Sequence, residues 1–110
     1  MPKLVRPSDQ PQILDDYIAV FGNRARMNIV KFIQENGSCL RMEIARATEL
    51  SGPTLGHHLV ELERLGVITG DLPQELRRGR TVRYSADTER ISALLQAPLA
   101  YIFPDQDPKP

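Results

Sequence analysis

Tryptophan is absent from this sequence of 110 residues, and cysteine occurs once, at Cys39. A single thiol cannot close an internal disulfide or build a cysteine-rich metal site. Aromatics make up only 5% of the chain, so the core must come mainly from Leu, Ile, Val and Ala. There is no apolar run of about 18 residues that could span a bilayer, and no stretch reads as a signal peptide. The expectation is one small cytoplasmic domain with no membrane partner, long enough for a single modest core. Net charge is missing as well: 14 basic and 14 acidic side chains sum to zero. That balance argues at first against a polyanionic partner, but its distribution is uneven. Arg77, Arg78, Arg80 and Arg83 fall in one short stretch that holds no acid, whereas residues 86–110 carry Asp87, Glu89, Asp105 and Asp107 against Arg90 and Lys109. A phosphate backbone responds to local charge rather than to the sum.

What the chain does have is clear helix punctuation. Met1 to Pro11, rich in proline, reads as a flexible arm whose Lys3 and Arg6 are solvated or touch nucleic acid. From Gln12 to Phe21, Leu14, Tyr17, Ile18 and Phe21 recur at helical spacing with Asp15 and Asp16 outward, and Gly22 ends the helix. Asn23 is a good cap for a second helix, Arg24 to Glu35, with Ile29, Val30 and Ile33 inward; Asn36-Gly37 stops it. Ser38-Cys39-Leu40 fits only an extended link or a one-bridge strand. A short helix from about Met42 to Thr48 should bury Ile44, Ala45 and Ala47.

The stretch Ser51 to Leu65 organises the rest. Ser51 can cap its first turn, where Pro53 lacks an N–H at no cost. Leu55, Leu59 and Leu62 form a core-facing stripe, while His57, Glu61 and Arg64 point away. Gly66 stops this helix. Val67 to Gly70 and Thr81 to Ser85 read as strands joined by the arginine-rich segment 71–80. Asp87 caps a last helix to about Gln96, with Ile91, Leu94 and Leu95 inward. Pro98 should break it, leaving an apolar patch, Leu99 to Phe103, before a polar end. Two short helices joined by a tight turn and followed by a basic hairpin make a winged helix-turn-helix. The fold class is mainly α, with about five helices and a two- or three-stranded wing. The expected division is an arm over 1–11, the winged-helix domain over 12–97, and a patch and tail over 98–110.

Four segments in order resemble the ArsR-like winged-helix transcriptional regulators of bacteria. They are Phe21-Gly-Asn-Arg-Ala-Arg-Met-Asn-Ile-Val30, with Arg26 at the family's usual arginine; Ile44-Ala45 with Leu50-Ser51; Ser51-Gly-Pro-Thr-Leu-Gly-His-His-Leu59, similar to the family's Ser-x-Pro-Thr-Val-Ser-x-His-Leu; and Leu62 with Leu65-Gly-Val-Ile68. The resemblance runs from about Tyr17 to Leu95. It implies a double-stranded DNA partner, a palindromic operator and a repressor role; the expected location is cytoplasmic and nucleoid-associated, and no enzyme activity is expected. It also implies a homodimer through the first and last helices. The interface candidates are Leu14, Tyr17, Ile18, Phe21, Ile91, Leu94, Leu95, Tyr101 and Ile102. The family's metal-sensing branch carries Cys-x-Cys where this chain has Leu40 and Met42, with Cys39 one residue out of register. Its other metal site uses two histidines in the last helix, and residues 86–110 contain none. Neither metal site is expected, nor any cofactor; an inducer, if there is one, is not identified by the sequence.

The DNA-binding candidates are Ser51, Gly52, Thr54, Gly56 and His57 on the helix, with Arg77, Arg78, Arg80 and Arg83 on the wing. His57 projects away from the core towards a base edge or phosphate. His58, on the shoulder of the apolar face, reads as structural; two adjacent histidines on a helix point about 100° apart and make no metal pair. Thr54 is either a capping residue or a contact to phosphate or a thymine methyl. Gly52 and Gly56 stand where the family often has reading side chains, so specificity should rest on Thr54, His57 and DNA shape. Strand alternation leaves Arg83 facing either way. Arg41 either touches phosphate or is simply exposed, and Cys39 packs as a small apolar residue. Two rivals stand beside the DNA reading. A winged helix can be a protein-docking or architectural module, which the neutral net charge favours. A small enzyme is the weaker rival, because no paired carboxylates, activated nucleophile or phosphate-cradling loop are visible.

Overall fold

A computed structural model describes residues 10–106 of the chain. The readings placed on residues 1–9, including Lys3 and Arg6, lie outside the described residues, as does the end of the tail. Helix α1 (Gln12–Phe21) closes on the Gly22 N–H, which donates to the Ile18 carbonyl at 2.8 Å. Helix α2 (Arg24–Asn36) begins on Asn23, whose Oδ1 accepts from the Arg26 N–H at 3.0 Å and satisfies one of the first-turn donors. Helix α3 (Arg41–Thr48) starts one residue earlier than the sequence suggests. The cause is Glu43, whose carboxylate accepts from the Leu40 N–H at 2.7 Å and fixes the first turn there. Ile44 is fully buried, but Ala47 is exposed, so the buried stripe of α3 is narrower than expected. Helix α4 (Gly52–Arg64) follows after Glu49, which turns the chain at a left-handed φ of 59°.

Ser38 to Leu40 contributes more than a link. Strand β1 (Cys39–Leu40) pairs antiparallel with β3 (Arg83–Ala86), and β3 pairs antiparallel with β2 (Ile68–Gly70), so the sheet has three strands in the order β1-β3-β2. Tyr84 lies opposite both Cys39 and Gly70. The wing is therefore stitched to the start of α3 on one edge and to the end of α4 on the other.

Helix α5 (Thr88–Ile102) is capped by Asp87, whose Oδ1 accepts from the Arg90 N–H at 3.0 Å. It does not end near Gln96. Pro98 lies inside it, and the Phe103 N–H closes the last turn on the Leu99 carbonyl at 2.8 Å. A proline deletes its own N–H bond to the carbonyl four residues back. The turns on either side hold, so the helix runs on past residue 98 to Ile102.

One core joins all the elements. Val20, Ile29, Ile33, Ile44, Leu55, Leu59, Leu62, Val67, Ile68 and Leu94 are buried in it, together with Cys39 and Tyr84. Each of these large apolar side chains contributes about 1.5–3 kcal/mol through burial. α1 packs along α5. Within α1 the inward residues are Leu14 and Val20 rather than the full stripe expected, since Ile18 is 58% exposed. Leu95, expected to face inward, is exposed.

Candidate nucleic-acid interface

The first turn of α4 is held by a small polar circuit. The Ser51 hydroxyl accepts from the Thr54 N–H at 3.4 Å and donates to Thr54 Oγ1 at 2.9 Å. Thr54 is thus part of the cap while its own hydroxyl proton stays available to a partner in front of the helix. Ser51, Gly52, Thr54 and His57 are all exposed. Val60, 58% exposed, continues the line at the spacing of Thr54 and His57. Val60 is not among the candidates drawn from the sequence, although the helical wheel that sets Leu55, Leu59 and Leu62 inward also turns it outward.

Gly56 has a packing reason. The Arg41 guanidinium crosses from α3 and donates from Nη2 to the Gly52 carbonyl at 2.8 Å. A Cβ at position 56 would lie 2.8 Å from that same nitrogen. The glycine makes room for an arginine that ties α3 to the start of α4, and Arg41 is more than an exposed cation. A Cβ at Gly52, by contrast, would meet nothing within 4 Å, so the backbone there is open to close approach.

The wing arginines divide. Arg77 faces inward: its Nη1 and Nη2 donate to the two oxygens of Glu63 on α4 at 2.7 and 2.8 Å, and its Nε donates to the Leu72 carbonyl at 2.8 Å. Both side chains of the pair are only 17% exposed. Arg77 also stands 6.0 Å from the centre of the Tyr84 ring, and a Cβ at Gly70 would collide with its Nη2. Arg77 therefore fastens the wing, and this removes it from the set expected to face DNA. The sequence did carry a signal for this pairing, an acid on α4 and a glycine in the facing strand, but neither identifies its partner without the fold. Burial, with the Glu63 charge, holds the Tyr84 hydroxyl above the ordinary phenol range.

Arg78, Arg80 and Arg83 remain exposed. The tip is a turn in which the Arg80 N–H donates to the Arg77 carbonyl at 2.9 Å, with Gly79 at φ +70°, a conformation glycine adopts without strain. Strand alternation is settled by Tyr84, which points into the core and so turns Arg83 and Ser85 outward.

Two further arginines fix how α4 sits. Arg26 donates from Nη1 to the Ala19 carbonyl at 3.0 Å and from Nε to His58 Nδ1 at 3.1 Å. His58 thus acts as an acceptor, which requires its neutral form with the proton on Nε2. Burial, then the charge of Arg26, then His57 lower its pKa in agreement with that role. Arg90 donates from Nε to the Leu65 carbonyl at 3.0 Å and pairs with Asp16 at 2.8 Å, joining α5, α4 and α1.

The residues assigned to a dimer surface also separate. Leu94 is fully buried and Leu14 nearly so, both within the protomer, so they have no face to offer a partner. Tyr17, Phe21 and Ile91 are half-buried, the two rings lying 5.6 Å apart. Ile18, Leu95, Tyr101 and Ile102 are exposed, as are Leu99 and Phe103. Cys39 is buried, and desolvation followed by Glu43 raises its thiol pKa. Among the described residues, no three His, Cys, Asp or Glu side chains converge on a point that could hold a metal ion. Nor, among them, is any helix long and apolar enough to cross a membrane.

Residues 23–69, from the Asn23 cap through most of β2, match the family model described as bacterial regulatory protein, arsR family. Solved structures share the fold. NolR from Sinorhizobium fredii is 18% identical with a TM-score of 0.64, over 93% of this chain and 97% of that one. The transcriptional repressor BigR from Xylella fastidiosa is 15% identical with a TM-score of 0.59, over 84% and 87%. MepR from S. aureus, solved as a DNA complex, is 20% identical with a TM-score of 0.54, over 86% and 75%. No protein of curated function matches the chain significantly.

Proposed function

We propose that this chain is a homodimeric transcriptional repressor that reads a palindromic operator through α4 and its wing, a reading supported by the match of residues 23–69 to the arsR-family model within a winged-helix fold. The observation carrying this reading is that the exposed line Thr54, His57 and Val60 and the exposed Arg78, Arg80 and Arg83 belong to one body, joined by the Arg77–Glu63 pair. α4 enters the major groove with its first turns against the bases. His57 and Thr54 supply hydrogen bonds, Val60 meets a thymine methyl, and Gly52 lets the backbone approach. The wing arginines neutralise phosphates on the flank and supply sequence-independent affinity. Two proteins of similar fold support the assignment: MepR was solved bound to DNA, and BigR is a transcriptional repressor.

Dimerisation rests on α1 and α5. Leu95, Leu99 and Ile102 repeat at i, i+4 and i+7 along the solvent side of α5, and Ile18 is bare on α1, which packs beside it. An apolar stripe of that period, left uncovered on a small chain, fits a second copy related by a two-fold axis. Selecting bound duplexes from a random pool tests the proposal. A palindromic consensus with half-sites about 10 base pairs apart supports it, whereas a pool that stays random supports a docking or architectural role.

A further inference from the structure

A cleft of about 440 Å³ opens between the start of α3 and the wing, a volume in the range of small-molecule sites. Its walls are mainly apolar, Leu40, Met42, Val82 and Tyr84 with Thr81 beside them; Met42 is 63% exposed, its sulfur accepting from Arg46 Nη2 at 3.6 Å, and its unbranched side chain adapts in shape. Arg41 and Arg80 also line it, and among the described residues no carboxylate does. Arg77 also borders the cleft, but Glu63 holds it in place and compensates its charge, so the ligand charge is left to Arg41 and Arg80. The Arg80 guanidinium has no side-chain partner among the described residues, and Arg41 uses only Nη2, on the Gly52 carbonyl. Apolar walls bordered by uncompensated guanidinium groups select a particular ligand chemistry.

We propose that this cleft binds a small anionic amphiphile, with a flat apolar body between Met42, Val82 and Tyr84 and one carboxylate or sulfonate held by Arg80 and Arg41. Occupancy has a consequence that rests on the DNA-binding reading. Arg41 steadies the start of α4 and Arg80 belongs to the phosphate-facing wing, so an anion that takes both weakens DNA binding. The site acts as an effector site for organic anions, built from one arginine of the phosphate-facing wing and one that steadies the start of α4.

The test uses the full chain, labelled with 15N, and 2-naphthoate as the probe, with 2-naphthamide as its uncharged counterpart. Naphthoate should shift the amides of Leu40 to Met42 and Thr81 to Tyr84 saturably, with the amide at least tenfold weaker. Arg80→Ala should weaken naphthoate at least tenfold, and Met42→Trp, at an exposed position that fills the cleft, should abolish the shifts while the rest of the spectrum stays in place. Shifts confined to α1 and α5, equal binding of acid and amide, or indifference to both variants would overturn the site. On duplex DNA, naphthoate should lower the affinity of the wild type and leave that of Met42→Trp unchanged. An unchanged wild-type affinity would overturn the effector role. A wild type that binds no DNA while the amide shifts persist would refute the DNA reading and leave the ligand site standing.

Discussion

Glu63 on α4 and Arg77 in the wing face each other through two parallel hydrogen bonds, 2.7 and 2.8 Å long, so the hairpin and the helix it follows move as one body. The pair lies between the exposed regime, worth up to about 1 kcal/mol, and the buried one, where removing one partner costs about 3–5. Arg77→Ala should therefore destabilise by about 1–3 kcal/mol in urea unfolding, whereas Arg78→Ala should change stability by less than about 0.5. Gly70→Ala, whose Cβ would displace Arg77, should be strongly non-additive with Arg77→Ala in a double-mutant cycle. Equal effects of the two arginine variants would contradict the division between them.

The turn between α3 and α4 holds Glu49 at φ 59°, which costs a side-chain-bearing residue energy that glycine avoids. Glu49→Gly should raise stability by about 0.5–1 kcal/mol despite its entropic cost in the unfolded chain. A lower urea midpoint would mean that the turn is not strained at this residue.

His58 predicts a pH dependence of known sign. Its folded pKa lies below the usual 6.5, so above that value both states are neutral and stability is independent of this group. As pH falls through 6.5 the unfolded chain takes the proton first and the folded state loses ground. The stability this residue contributes is thus fully present above about 6.5 and lost on acidification towards the lower folded value. His58→Gln, which can still accept from Arg26, should flatten the fall in urea midpoint from about pH 7.5 to about pH 5. An unchanged pH profile would place the titration elsewhere.

Most of the frame is legible in the residues. Capping by Ser51, Asn23 and Asp87 needs only a short polar side chain before an apolar stripe, and Leu55, Leu59 and Leu62 show the period of that stripe. What stays hidden is what depends on distance along the chain. β1 is two residues long and becomes a strand because β3 returns beside it. Pro98 signals a break that neighbouring turns override. The arginine cluster looks uniform in sequence, and only the position of Glu63 separates Arg77 from Arg78 and Arg80. Gly56 similarly reads as a lost base-reading position until Arg41 is seen to lie against it.

The apolar stripe of α5 carries the assembly prediction. Leu95→Glu with Ile102→Glu places charges on exposed positions, so folding should be unaffected while sedimentation shifts from dimer to monomer and operator affinity falls. A dimer that persists in this variant would place the interface on another surface.

The central claim, that α4 reads sequence while the wing supplies charge, is tested most directly by fluorescence anisotropy on a selected duplex and a scrambled one across a salt series. The wild type should bind the selected duplex more tightly and lose affinity steeply with salt. Arg78→Ala with Arg80→Ala should weaken both duplexes alike and lower the salt slope by about one per phosphate contact removed. His57→Ala should weaken only the selected duplex and leave the slope unchanged. Absence of binding at every salt concentration, or identical losses on both duplexes for both variants, would contradict the account.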